Sequence, residues 1–550
     1  DRLSFASAQD FKKIPGAPIA YWVSDIIRDS FSNGIPFYDI GLPRVGMQTS
    51  NNNKYLRMWF EINKFQPKLN QELEWITYLK GGEFRRWYGN LLWVLHYNND
   101  PNYILKQKNA TILPESFLFK HKCTWTDLTS AGFSCRWAPQ QSFHDISGHC
   151  FFPKEEDQYW LLGFSNSSTF SRFINLLNSS FHYQVGDVSR VPVILPQKNN
   201  TNMIFRLVEI SRHDWDSFET SWDFSVLPLM EIDNYPIAAT VSKKFDQLRK
   251  EWHELTNETQ HLEEENNRIF IEAYELQDEL TPEVPLEEIT LTCNPYYRYK
   301  GDYTDKEREA RLLQDTLKEF LSYAVGCMFG RYSLDKPGLI LANQGETLQD
   351  YLRIIAKEPT FTPTETNVIP ILDGDWFADD VTARFKQFLK ITFGEPNYEE
   401  NLRFIENALG KDLRKYFLKD FYKDHVQTYK KRPIYWLFSS PKGSFNALIY
   451  MHRYQPETVS VVLNQYLREY REKLNAQRRY QESLSISPSS SQREKTAALK
   501  EFESLSKILA ELKTYEDEVL FPLAGEQIEI DLDDGVVVNY AKFGDALRRI

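Results

Sequence analysis

One segment constrains this sequence more than any other. Val241, Phe245, Leu248, Trp252, Leu255, Leu262, Ile269, Ala273, Leu276 and Leu280 recur at alternating spacings of four and three, and Thr259 and Asn266 fill the two polar positions of the series. That spacing holds an apolar seam on one side of a helix. It predicts a coiled-coil-like spacer over 241–280, about 60 Å long at the standard rise per residue. Thr281-Pro282 is expected to end it, because proline cannot continue a helix. A seam needs a partner, and Leu499, Phe502, Leu505, Leu509 and Leu512 form a candidate stripe. The alternative is an ordinary long helix packed on a bundle. The outer face is acidic: residues 251–290 hold 13 Asp and Glu against one base, Arg268. Glu263-Glu264-Glu265 therefore reads as a solvated face rather than a metal site.

This segment changes how the total charge is read. The 550 residues carry a formal net charge of -12, and 251–290 alone sums to the same value. By contrast, 40–140 holds 13 basic and 7 acidic residues, and 410–453 holds 10 and 3. A local basic face is what attracts a phosphate backbone, so the acidic total does not exclude a nucleic-acid partner. The length suits three or four domains. An apolar fraction of 42% excludes a mainly disordered chain. Five cysteines fit a reducing cytoplasm better than a disulfide-stapled scaffold. No apolar run reaches the length of a transmembrane helix, so no membrane partner is expected. Asp1-Arg2-Leu3-Ser4-Phe5 is neither a signal peptide nor a normal start, and the sequence is read as beginning partway through a longer protein.

The expected fold class is α+β. Residues 1–200 are read as a mixed α/β domain, 201–290 as the helical spacer and 291–482 as a mainly helical domain with a basic region. A Ser-rich flexible linker at 483–494 and a helix and tail at 495–550 complete the chain. Alternation of Phe117, Phe119, His121 and Cys123 with Leu118, Lys120 and Lys122 suggests a strand, as does 158–163. Ser167-Ser168 offers an N-cap to a helix through Phe170, Phe173, Ile174 and Leu177. A strong helix is expected over 305–330 and a buried strand over 434–438. Strand-like runs are read at 527–532 and 536–538, joined by an Asp533-Asp534-Gly535 turn.

The usual catalytic signatures are lacking. There is no Gly-rich phosphate loop, Walker Lys, Gly-x-Ser-x-Gly elbow or His-Glu-x-x-His helix. Cys123, Cys135, His144, His149 and Cys150 lie close in sequence but without a Cys-x-x-Cys knuckle, so no metal site is assigned. The run 531–535 misses the calcium-loop pattern, since its twelfth position would be Lys542. Cys293-Asn294-Pro295-Tyr296-Tyr297 approaches the loop with which adenine-N6 methyltransferases grip a flipped base. Its third residue is Tyr instead of Pro, and no upstream loop exists to hold S-adenosylmethionine. A turn feeding a helix is the expectation, and no catalytic or cofactor-binding residue is assigned.

The basic regions carry more content. Residues 81–90, Gly-Gly-Glu-Phe-Arg-Arg-Trp-Tyr-Gly-Asn, place two arginines and two aromatics in a Gly-bounded turn, and Gly allows close backbone approach. Arg suits guanine edges and Gln suits adenine edges. Arg85, Arg86, Arg136, Gln140 and Gln141 are therefore candidate base contacts, with Lys54, Arg57, Lys80, Lys120 and Lys122 as phosphate contacts. Lys106 and Lys108 belong to the same stretch. Lys430, Lys431, Arg432 and Lys442 are candidate clamps on the other side of a duplex. The bland alternative packs Trp87, Tyr88 and Trp137 in the core and leaves the arginines solvated. For the second region a protein-protein surface is equally open.

Several stretches resemble a known family. Residues 11–23 (FKKIPGAPIAYWV), 276–282 (LQDELTP), 321–338 (LSYAVGCMFGRYSLDKPG) and 538–544 (VNYAKFG) are similar to the C-terminal part of the PglX family. These are adenine-specific DNA methyltransferases of type 1 BREX phage-defence systems. The 81–90 turn and Gln184-Val185-Gly186-Asp187-Val188 resemble target-recognition domains shared with type IIG restriction-modification enzymes. The resemblance implies that 1–200 reads duplex DNA and presents a flipped adenine to a catalytic half absent from this sequence. S-adenosylmethionine is expected in that half. It also implies other BREX proteins, and phage DNA mimics, as partners. An interaction scaffold is the alternative function, and an independently active methyltransferase the third.

Overall fold

The structure is a computed structural model, and it describes residues 13–15, 23–63, 74–98, 100–178, 180–197, 200–231 and 239–550. Most of the 11–23 stretch lies outside the described residues. The fold is α+β. It forms two compact units, each assembled from separated stretches: Asp1–Trp59, Gln66–Trp222 and Arg249–Glu309 make the first, and Phe60–Phe65, Asp223–Leu248 and Ala310–Ile550 make the second.

Among the described residues the first unit holds ten short strands: β1 (Ile35–Pro36), β2 (Pro43–Arg44), β3 (Leu56–Met58), β4 (Trp75–Leu79), β5 (Trp93–His96), β6 (Lys122–Trp125), β7 (Cys135–Ala138), β8 (Ser142–His144), β9 (Cys150–Phe151) and β10 (Pro192–Val193). They form an antiparallel sheet in the order β2-β9-β6-β7, a mixed sheet in the order β3-β5-β4-β8, and a β1-β10 pair. In the mixed sheet β4 runs antiparallel to β5 and parallel to β8. Two cores result. Trp125, Phe151, Phe164, Phe170 and Tyr274 are buried in the larger one, and Tyr55, Ile76, Tyr78, Leu95 and Phe143 in the smaller. Aromatic and β-branched residues dominate both, as suits short pleated strands. Ser167 caps the helix Ser168–Leu177 as expected, its Oγ accepting from the Phe170 N–H at 3.1 Å.

The long helix is Val241–Ala273. Its first four seam residues, Val241, Phe245, Leu248 and Trp252, are buried. Further along, burial spreads to Thr256, Glu263, Asn267, Phe270 and Ile271 as well, which is broader than a two-position seam. The helix stops seven residues before the expected end. Glu275 takes a left-handed φ of +58°, and the Leu276 N–H returns to the Ile271 carbonyl at 2.9 Å. That backbone turn satisfies the last carbonyls before the proline is reached.

In the second unit, β11 (Val368–Pro370), β12 (Tyr435–Ser439) and β13 (Asn446–Tyr450) form an antiparallel sheet in the order β11-β13-β12. Every residue of β12 is buried, in line with the predicted strand. The predicted helix over 305–330 appears as Asp305–Phe329. Helices Arg468–Ile486 and Gln492–Tyr515 pack against each other as a hairpin.

Four local expectations are corrected. Residues Gln158–Ser165 form a helix, not a strand; Leu161 to Ser165 are all buried, so their apolar run carries no periodicity to separate the two. The 117–123 strand begins only at Lys122, after a 3-10 turn Glu115–Phe117 that follows Pro114. The tail has no strands: Gln527 at φ +45° closes the helix Phe521–Glu526, and Val536–Ala541 is helical. The Ser-rich segment is mostly helix, since one helix runs to Ile486 and Ser491 caps the next in a reciprocal box with Glu494. Of the 499–512 stripe, Leu505, Leu509 and Leu512 are buried and Leu499 is exposed, and the helix that carries them packs against Arg468–Ile486.

Candidate nucleic-acid interface

The Gly-rich turn 81–90 follows β4. An added Cβ at Gly81, whose φ is +74°, would lie 2.7 Å from the Ser147 carbonyl oxygen, so a side chain there is excluded. Trp87 also adopts a positive φ, +70°, held by its N–H to the Cys135 carbonyl at 2.9 Å. The turn carries its arginines inward. Arg85 is 3% exposed. Its Nη2 meets Asp214 at 2.6 Å, Nη1 donates to Thr292 Oγ1 at 2.9 Å and Nε donates to the Tyr88 carbonyl at 2.9 Å. Arg86 bridges Glu263 and Glu288, each at 2.7 Å, and Trp87 Nε1 donates to the other Glu263 oxygen at 2.6 Å. Burial works against the Arg86 charge, but the two carboxylates outweigh it and raise its pKa. Glu263 is thus a buried anchor and not part of a solvated face.

Arg136, on β7, is also enclosed, with Nη1 donating to the Arg85 carbonyl at 3.2 Å and Nη2 to Thr126 Oγ1 at 3.3 Å. Burial lowers its pKa to about 10. Lys122, on β6, is 1% exposed, and its ammonium donates to the carbonyls of Phe117, Leu118, Gln140 and Ser142 at 2.5 to 3.0 Å. Desolvation brings it down to about 8. These four residues are corrections to the expected contact set. Their donors point at protein acceptors, and in this arrangement they present nothing to a base edge or a phosphate.

The other candidates sit elsewhere. Lys54 is exposed, with Nζ 5.0 Å from the Tyr55 ring centroid and 5.3 Å from that of Tyr103. Exposed Lys106 and Lys108 follow the short helix that bears Tyr103. Arg57 turns back on its own backbone, donating to the Asn53 and Leu56 carbonyls, and Lys80 lies 3.7 Å from Asp145. Lys120 is exposed over the Phe117 ring at 4.4 Å. Gln140 is exposed 2.8 Å from His121 Nε2, and Gln141 is half-buried. So one corner gathers Lys54, Lys106 and Lys108, and Lys120, His121 and Gln140 share the neighbourhood of the 117–122 turn.

In the second unit, Lys430 and Lys431 are exposed in consecutive left-handed conformations that end a helix. Arg432 Nε lies 3.3 Å from buried Glu61. Lys442 is exposed, but Glu511 accepts from its N–H at 2.8 Å and from Ser444 Oγ at 2.5 Å. An acid therefore sits within this basic turn.

The Asn294 loop does not fit a methyl-transfer site. Asn294 is fully buried, donates to the Leu286 and Ile289 carbonyls, and caps the helix Pro295–Arg298 by accepting from the Tyr296 N–H at 3.1 Å. It is the helix-feeding turn that was expected. Among the described residues no group of three or more His, Cys, Asp or Glu could hold a metal ion. Cys123 and Cys150 are buried thiols with pKa values pushed up by desolvation, which makes them inert. Sequence reasoning missed a cleft of about 430 Å3 between the 81–90 turn and 292–300, lined by Asn90, Trp215, Thr292, Tyr297, Arg298 and Lys300. Its parts lie more than two hundred residues apart, and no local signal connects them. Among the described residues no helix is long and apolar enough to cross a membrane.

No family model matches the chain. Its sequence is, however, 36% identical to an adenine-specific methyltransferase PglX of Lacticaseibacillus casei over 97% of the chain and 45% of that protein. It is likewise 36% identical to an adenine-specific methyltransferase BrxX of Escherichia coli O9:H4, over 98% of the chain and 45% of that protein. The class is therefore that of proteins related to adenine-specific methyltransferases. Along nearly its whole length the chain is similar to PglX and BrxX, and it spans just under half the length of these relatives.

Proposed function

We propose that this chain recognises and holds duplex DNA for an adenine-specific methyltransferase of a BREX phage-defence system. The observation that carries the proposal is the similarity to two such methyltransferases along nearly the whole chain. S-adenosylmethionine and the reacting groups are assigned to sequence outside these residues, since Asn294 is occupied as a helix cap. The exposed corner of Lys54, Lys106 and Lys108 is the leading phosphate contact of the first unit, and Lys120 with Gln140 the second. Binding of the 550-residue chain to a duplex, measured across a salt series, tests this. Each phosphate contact adds about 0.9 to the steepness with which log affinity falls against log salt. A steep dependence is expected, reduced by about 2 to 3 when Lys54, Lys106 and Lys108 are changed together to Gln. A flat salt response overturns the proposal.

A further inference from the structure

The helical hairpin of the second unit divides into two halves. Tyr470, Leu474, Leu505, Leu509, Leu512 and Tyr515 are buried in its base. From 475 to 500 the one buried residue is Ala498. This outer part extends about 17 Å along Arg468–Ile486 at 1.5 Å per residue. Such an arm carries no core of its own, and its side chains are available for another purpose.

The composition of the arm is distinctive within an acidic chain. Residues 475–500 contain five bases, Arg478, Arg479, Arg493, Lys495 and Lys500, and two acids, Glu482 and Glu494. Glu494 is held in the capping box, accepting from the Ser491 N–H at 2.7 Å. Arg478 lies against the Phe502 ring at 5.9 Å. Among the described residues, the other four bases have no acid within ion-pair distance. Further down the hairpin, by contrast, Arg468 and Arg471 both meet Glu516 and Lys513 meets Asp517. Arg468, Arg471 and Lys513 are thus paired at the base, whereas four cations of the outer part are not. A protein that merely needed soluble helices would be expected to intersperse the two signs, as the base does.

We propose that the tip of this hairpin is a sequence-independent contact to the phosphate backbone of DNA. Charge complementarity selects that occupant. Four unpaired, flexible cations on two adjacent helices match a line of phosphates, whereas an apolar protein groove would call for a continuous apolar face. Tyr480 and Ile486, 60% and 76% exposed, lie beside these cations and would pack against sugar edges. The proposal rests on the DNA reading of the whole chain and adds a second grip remote in sequence from the 54–108 corner.

The test is the Arg479→Gln, Arg493→Gln, Lys495→Gln, Lys500→Gln variant of the 550-residue chain, titrated with a nonspecific duplex over a salt series. Arg479, Arg493 and Lys500 are exposed and Lys495 is half-buried, and an unchanged thermal midpoint will certify the fold. The expected result is a salt dependence shallower by about 2 to 4 in log-log slope. A Tyr480→Ala, Ile486→Ala variant is expected to lose affinity while keeping the slope. If the wild-type chain binds with a steep slope and the quadruple variant matches it, the arm proposal fails and the DNA reading stands. If the wild-type chain shows no salt-dependent binding, both fail. Loss of binding to an acidic polypeptide with no change on DNA would assign the tip to a protein partner and overturn the inference.

Discussion

The 81–90 turn and the outer hairpin are both Arg-rich, and they use arginine in opposite ways. In the turn each guanidinium is enclosed and faces a carboxylate: Arg85 faces Asp214, and Arg86 faces Glu263 and Glu288. At the hairpin tip Arg479 and Arg493 stand in solvent. The turn has aromatic neighbours and glycines, which invite a reading as a nucleic-acid loop, yet its charge is spent on holding the first unit together. The tip has an unremarkable helical sequence and keeps its charge for something outside. A basic residue's neighbours in sequence do not reveal whether its charge is already balanced; a carboxylate 129 or 177 residues away decides that.

The contrast is open to direct challenge. The largest effect is expected at Arg85. Arg85→Ala leaves the Asp214 carboxylate buried and unpaired, which costs about 3–5 kcal/mol. Denaturant unfolding of the first unit reads this, and a loss under 1 kcal/mol would return Arg85 to the pool of available cations. Next is Lys122. Its folded pKa of about 8 lies below the usual lysine value, so between pH 8 and 10.5 the unfolded chain binds the extra proton and wild-type stability rises with pH. Relative to Lys122→Met the gain is on the order of 3 kcal/mol across that window. Parallel pH profiles for the two proteins would contradict a buried ammonium. Glu288 is half-exposed, so Glu288→Gln should cost less than about 1 kcal/mol while Glu263→Gln costs distinctly more. The smallest change is at Lys54, where Lys54→Gln should alter stability by no more than about 0.5 kcal/mol. A larger loss there would mean that its stacking on Tyr55 and Tyr103 is structural.

What the sequence revealed follows the range of the interactions involved. The helix Asp305–Phe329, the Ser167 cap, the β12 strand and the Asn294 turn were all legible, because each depends on neighbours a few residues away. The start of the long helix was legible for the same reason. Its end was not: the apolar series continues to Leu280, whereas the backbone turns at Glu275, where a non-glycine residue adopts the left-handed cap. The helix Gln158–Ser165 was misread because complete burial erases the difference between periods of two and 3.6. In the site, residue types and locality were visible, but orientation was not. Lys122 stands in an alternating pattern that suggests an outward-facing cation, and only the fold reveals the four carbonyls around it.

The short excursion Phe60–Phe65 has a consequence for how the chain comes to fold. Buried Glu61 accepts from the Val536 N–H at 3.0 Å, and the Asn63 N–H donates to Asp533 at 2.9 Å. These partners are 475 and 470 residues apart. At roughly 5–20 residues per second, a ribosome takes about 25 to 95 seconds to travel from one to the other. Throughout that interval the carboxylate of Glu61 lacks the backbone amide that receives it in the finished protein. The first unit has its complete sequence by Glu309, but the second closes only when 533–536 arrive. Nascent-chain lengths stopping before residue 533 should therefore leave the 60–63 segment open to protease, and those extending past 536 should protect it.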